Sequence, residues 1–253
     1  MVGLRHTHRR LRTVALHPAS HPQTKEPPMD AALDVKTYIE WDTVNWGKSL
    51  DFWQRTAKPI EGARALELGA NKGGLSLWLA HQGAASVLCT DVSPTNPIAI
   101  DLHSRYRVSD LIEYAEIDGM DMDFENEFDV VVFKSVLPQF DEAGKQKFLD
   151  NVRRALKPGG QALFAENIAG SAAHQAARRR FNSWGQIFVC PSAADVERFA
   201  EGFSRLEVEA YGITGAFGRT EAQRRALGHI DSSVLEKITP KAWRYMMAGV
   251  ATK

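Results

Sequence analysis

Apolar positions along this chain fall into blocks that change period. Short apolar runs cover residues 63–68, 85–90, 113–117, 128–133 and 161–166, each of strand length. Between them, apolar residues recur at helical spacing over 73–81, around 98–105 and over 142–156. Strand and helix in alternation predict a parallel sheet with helices on both faces. Right-handed crossovers then bring the carboxyl ends of all the strands to one rim. Glu67, Asp91, Asp118 and Lys134 fall at such ends, where ligands of open α/β sheets bind.

The flanks extend the pattern. Residues 35–56 read as one helix bearing Tyr38, Trp41, Trp46, Leu50 and Trp53. Those aromatics either pack into the core or cover a ligand, with Asp42, Asn45 and Trp46 then within reach of it. After the fifth strand come a segment over 167–190, a helix near 192–203 and a strand near 206–213. A helical insert near 220–227 and a last strand near 242–251 complete the pattern.

The first strand runs into Glu67-Leu68-Gly69-Ala70-Asn71-Lys72-Gly73 and then a helix with Leu75, Trp78 and Leu79 on one face. Gly69 permits a sharp turn, and Gly73 is expected to admit a ligand to the helix start. The free N–H groups of that helix face whatever covers the turn. Dinucleotide enzymes favour Gly-x-Gly-x-x-Gly here. This chain has Gly-x-x-x-Gly and a carboxylate, Glu67, which repels a pyrophosphate and suits an ammonium. Asp91 closes the second strand 24 positions later, about where a carboxylate meets a ribose. A nicotinamide oxidoreductase is therefore disfavoured.

Five ordered blocks between residues 62 and 167 resemble the class I S-adenosylmethionine (SAM)-dependent methyltransferases, in their methyltransferase-11-like group. They are Glu67 to Gly73, Asp91-Val92-Ser93-Pro94, Ile117-Asp118-Gly119-Met120-Asp121, Phe128-Asp129-Val130-Val131-Val132 and Leu156-Lys157-Pro158-Gly159-Gly160. The resemblance implies a Rossmann-like, seven-stranded, mostly parallel sheet with an antiparallel last strand. It implies SAM as cofactor, with Glu67, Gly69, Ala70, Asn71, Gly73, Asp91, Val92, Asp118, Gly119 and Lys134 at its seat. Glu67 would organise the amino-acid end, Asp91 the ribose and Asp118, with Gly119, the adenine. Asn71 stands where the family often has glycine; it is the best replacement where φ is positive. Pro138 and Gln139 stand where the family often has a His pair, so no catalytic base carries over.

Several residues keep two readings. Lys134 binds an anionic group on the acceptor, or pairs with Glu67 or Asp118. His174 is a base for a hydroxyl acceptor, or an exposed helix residue. Arg178, Arg179 and Arg180, near Phe181 and Trp184, grip an anion or form a solvated face. Segments 167–190 and 35–56 together are expected to form the acceptor side of the pocket, with Trp46, His174 and Trp184 as its test residues.

Composition narrows the picture. Lys+Arg and Asp+Glu both number 31, so total charge gives no reason to expect nucleic acid. Two cysteines, Cys89 and Cys190, make no disulfide framework. No apolar run reaches the length of a membrane span, no cluster has metal-ligand spacing, and a cytoplasmic location is expected. Residues 1–30 carry Arg5, Arg9, Arg10 and Arg12, four of the eight histidines and no acid before Glu26. They read as an extension, an upstream start before Met29 or a transit peptide, with the methyltransferase domain occupying 31–253. The expected acceptor is a small molecule or glycan-type unit. An RNA or protein methyltransferase, or a non-catalytic SAM-binding protein, is the alternative.

Overall fold

The computed structural model describes residues 34–181 and 189–253. The extension at 1–30 and Trp184 lie outside the described residues. Seven strands form one sheet in the order β3-β2-β1-β4-β5-β7-β6. They are β1 (Arg64–Leu68), β2 (Ser86–Asp91), β3 (Ile112–Glu116), β4 (Phe128–Lys134), β5 (Leu156–Asn167), β6 (Arg205–Tyr211) and β7 (Met246–Thr252). The first five are mutually parallel. β7 runs antiparallel between β5 and β6. The order reverses at β1 and β4, so ligands are expected outside the carboxyl ends of those strands.

Side chains alternate across the sheet, as a period of two requires. Ala65, Val130, Val132, Leu163, Ala165, Ala248 and Val250 point into one core. That core is shared with α2 (Thr43–Thr56), α3 (Gly74–His81) and α4 (Pro97–Arg105). Leu66, Val131, Phe133, Ala162, Phe164 and Ala251 point into the other, packed under α5 (Glu142–Ala155) and α7 (Ala193–Phe199). With both faces covered, the central strands read as continuous apolar runs rather than clean alternations.

Four boundaries differ from the sequence reading. The N-terminal helix is two: α1 (Val35–Ile39) and α2, broken at Glu40 and Asp42, both of positive φ. Trp41 sits at the break. β5 starts five residues early, and Lys157 to Gly160 loop out as a register shift against β4. The insert continues beyond α8 (Glu221–Ile230) through a π turn into α9 (Glu236–Ile238). The last strand begins at Met246, after a short turn at Lys241–Trp243. The remaining helix, α6 (Ala172–Phe181), follows β5. Among the described residues, no helix is long and apolar enough to cross a membrane.

Candidate active site

Two cavities open along the carboxyl rim of the sheet. The smaller, about 470 Å³, lies over the glycine turn. Glu67, Gly69, Ala70, Asn71, Asp91, Val92, Asp118, Gly119 and Lys134 all line it. Nine of the ten residues singled out for a cofactor are therefore brought together. The tenth, Gly73, is a correction. A Cβ there would lie 2.6 Å from the His103 ring, and the ring nitrogen Nε2 bonds to Gly73 O at 2.8 Å. Gly73 makes room for a buried histidine of α4, with φ of 73°, rather than for a ligand. Asn71 takes the left-handed conformation expected of it, with φ of 47°.

The acids do backbone work as well as lining the cavity. Asp91 accepts from Asn71 N at 2.9 Å and from Ser93 N at 3.1 Å. Each oxygen keeps a second acceptor site. Asp118 accepts from Met120 N at 2.8 Å. Glu67 is buried and takes both Ser76 N, at 2.7 Å, and Ser76 Oγ, fixing the start of α3. Burial pushes its carboxyl up to about 7, against the pull of the Ser76 donors. Asp129, by contrast, serves the fold, holding Lys157 and Arg64 N.

Lys134 matches neither sequence reading directly. Its ammonium stands 3.6 Å from the centre of the Trp41 ring and 5.4 Å from that of Trp46. It reaches Ile39 O at 3.4 Å. Desolvation lowers its pKa to about 8.

The larger cavity, about 850 Å³, adjoins the first; Trp41 and Ser135 line both. Trp46, His174, Arg178 and Pro138 line it, as does Asp42. Ala216 to Arg219, Arg224 and Tyr245 close it from the insert and the residue before β7. The sequence reading missed this last group, because nothing local ties it to the rim.

His174 is a second correction. It is buried, not exposed, and stacks on Phe217 at 5.0 Å. Its Nδ1 accepts from Ser171 N at 3.1 Å, and Nε2 donates to Ile213 O at 2.5 Å. Those partners assign the neutral tautomer, and burial lowers its pKa. Both nitrogens are committed, so His174 holds the wall together. Arg178 likewise donates to Ile168 O, Ala169 O and Tyr245 O. Arg179 and Arg180 are exposed.

Asp42 is the buried acid of this cavity. It stands at the N-cap of α2 without capping through its own side chain. Glu221 of α8 performs that task, accepting from Asp42 N, Thr43 N and Thr43 Oγ1. The Asp42 carboxylate is thus turned to Tyr245 Oη and Asn45 Nδ2. Desolvation raises its pKa. Asn45 also donates to Tyr245 Oη, at 3.0 Å, and to Asp231, at 3.5 Å.

Residues 66–164 match the methyltransferase-11 family, described as a methyltransferase domain. These residues carry the methyltransferase domain of the class I SAM-dependent methyltransferases. A cypemycin N-terminal methyltransferase from a Streptomyces species is 34% identical over 120 residues, 46% of this chain and 47% of that protein. A phthiotriol/phenolphthiotriol dimycocerosates methyltransferase 1 from Mycobacterium ulcerans is 27% identical over 185 residues, covering 63% and 60% of the two chains. A fatty-acid O-methyltransferase from Mycolicibacterium smegmatis is 30% identical over 156 residues, 56% and 49%. The chain thus spans about half the length of several of the curated relatives it matches. The fold is shared with phosphoethanolamine N-methyltransferase 2 of Haemonchus contortus bound to SAM, at TM-score 0.59, 24% identity, and 82% and 52% coverage.

The smaller cavity fits SAM on its own chemistry. A buried acid and an ammonium stand at one end, where the cofactor carries its zwitterion. Asp91 and Asp118 stand at the other, with Ile117, Phe140 and Phe148 supplying apolar walls. Among the described residues, no group of three His, Cys, Asp or Glu could hold a metal ion.

Proposed function

We propose that this methyltransferase transfers a methyl group from SAM to a small-molecule acceptor held in the larger cavity. The observation that carries this reading is the junction: the two cavities meet at Trp41 and Ser135, so donor and acceptor can lie end to end. When bound, SAM supplies a methyl on a sulfonium whose charge is lost in an in-line displacement. The chain's contribution is orientation, which supplies much of the acceleration in such transfers.

In this reading Glu67 faces the cofactor's ammonium and Asp91 takes the ribose hydroxyls through its remaining acceptor sites. Asp118 takes the adenine amino group beside Gly119. Gly69, Ala70 and Asn71 form the turn beneath, and Val92 covers the edge. On the acceptor side Trp41, Trp46 and Phe217 offer flat apolar faces. Such faces stack on rings, including the C–H face of a sugar. Arg224 gives its Nε to Gly218 O and its charge acts on Asp42 and Glu221; its terminal nitrogens are the ones an acidic substituent would meet. The acceptor is therefore a small ring-bearing molecule or glycan unit with an acidic group. Asp42, backed by Tyr245, is the group placed to receive a proton from a hydroxyl or ammonium acceptor.

The test is a screen of metabolite pools with methyl-labelled SAM, with calorimetry of SAM, S-adenosylhomocysteine and NAD alongside. Saturable binding of the first two, an inert NAD, and label in a small acidic product are expected. Preference for NAD, or label found only in RNA or protein, would overturn it.

A further inference from the structure

Lys134 is a cation with three acids around it and an ion pair to none of them. Three carboxylates act on it from three elements: Glu40 at the end of α1, Glu67 on β1 and Glu166 on β5, with Lys72 opposing. Glu40 is held by Lys72 at 2.7 Å. Glu67 gives one oxygen, Oε2, to Ser76. Glu166 is fully buried; its Oε1 accepts from Val136 N at 2.9 Å and Leu137 N at 3.2 Å, while its Oε2 has no hydrogen-bond partner and makes no ion pair. None pairs with the lysine. An ammonium has three donors and is costly to desolvate without an anion. Here it has one long bond to Ile39 O and the face of Trp41. An aromatic face is a weaker partner than a carboxylate.

The position says which anion the lysine suits. Lys134 lines the smaller cavity and not the larger one. An anionic group on the acceptor is therefore not what it faces. Across the same end of that cavity stands Glu67, which suits an ammonium. A carboxylate and an ammonium on one ligand carbon match this pair.

We propose that Lys134 receives the cofactor's α-carboxylate and leaves the face of Trp41 to do so. The inference rests on the reading of the smaller cavity as the SAM seat. It gives Trp41 a second task. The ring that faces the lysine also lines the larger cavity. Occupancy of the seat thus frees that ring for the acceptor, and the cofactor binds first.

The experiment is calorimetry on the full chain with two ligands that differ in one group, SAM and decarboxylated SAM. The wild type is expected to prefer SAM by about tenfold to a hundredfold, the effect of one charge-assisted contact. Lys134→Met should bind both with the affinity the wild type shows for the decarboxylated ligand. Lys134→Arg, which keeps the charge, should recover part of the preference. A preference that survives in Lys134→Met overturns the inference. Should Lys134→Met not fold, the wild type decides alone: equal affinity for both ligands also overturns the inference. A wild type that binds neither ligand overturns the cofactor reading itself.

Discussion

The smaller cavity draws most of its polar side chains from neighbouring strand ends and the turns that follow them, with Tyr38 and Glu40 added from α1 and its end. The larger one draws them from the α1–α2 break, α6, the turn at 215–219, α8 and the residue before β7. In the first, a few consecutive residues set both the turn and the ligand contact. Asp91 holds the backbone of Asn71 and still faces the cavity. In the second, each side chain depends on a partner far along the chain. Asp42 faces the cavity because Glu221, 179 residues later, caps α2 in its place. A seat built on strand ends tolerates little change; a cleft built from insertions can be re-lined while the seat stays.

The sharpest break of this comparison is Asp91→Ala. It removes two backbone anchors and the proposed ribose contact, each worth about 1.5–3 kcal/mol before water compensates. SAM affinity is expected to fall by about a hundredfold or more in calorimetry. An unchanged affinity with the fold intact would leave Asp91 a turn residue only.

Tyr245→Phe tests the other side. It deprives the buried Asp42 carboxylate of its hydroxyl donor, at a cost of about 1–3 kcal/mol in denaturant unfolding. SAM affinity should hold while methyl transfer falls. Equal loss of both would show that the two cavities are not separable.

Glu67→Gln probes the seat through pH. A carboxyl raised to about 7 in the fold binds a proton the unfolded chain releases near 4.5. Its burial therefore destabilises the protein increasingly between about pH 4.5 and 7, and uniformly above. Thermal melts of wild type and variant, without SAM, should separate across that window in the variant's favour. A separation that stays flat with pH places the proton elsewhere.

Two smaller effects remain. Glu221→Ala should cost about 1 kcal/mol, the value of an N-cap, and act on acceptor turnover alone. A chain beginning at Met29 should melt and bind SAM as the full chain does, since residues 1–28 have little apolar surface to bury. A large loss of stability would show that they pack on the domain.

How far the sequence was legible follows the same division. The sheet was legible because buried parallel strands write themselves as apolar runs, and the five strands and their cavity-lining ends lie where those runs end. Asn71 was legible because one backbone position has few tolerable residues. Gly73 was misread: the spacing marks a site of close approach, and only α4 decides that His103 makes it. His174 was misread because α6 looks polar in isolation, while Phe217 and Ile213 bury it from the insert. The split at Glu40 and Asp42 carries no glycine or proline to announce it, and is held by contacts to Lys72 and Glu221.

The place of β7 has a consequence for synthesis. Among the described residues, β6 pairs with β7 and with no other strand, and β7 lies between it and β5. A chain emerging from the ribosome can assemble β1 to β5, with the glycine turn and its acids, while later residues are still being made. β6, though translated some forty residues before β7, has nothing to zip onto until β7 arrives. Tyr245, which secures Asp42, comes with that same segment. The cofactor seat is thus open to form early in translation, and the acceptor cleft only at its end. A stalled or prematurely terminated chain would present a SAM seat with no acceptor wall and an unpaired β5 edge, a surface prone to mispairing.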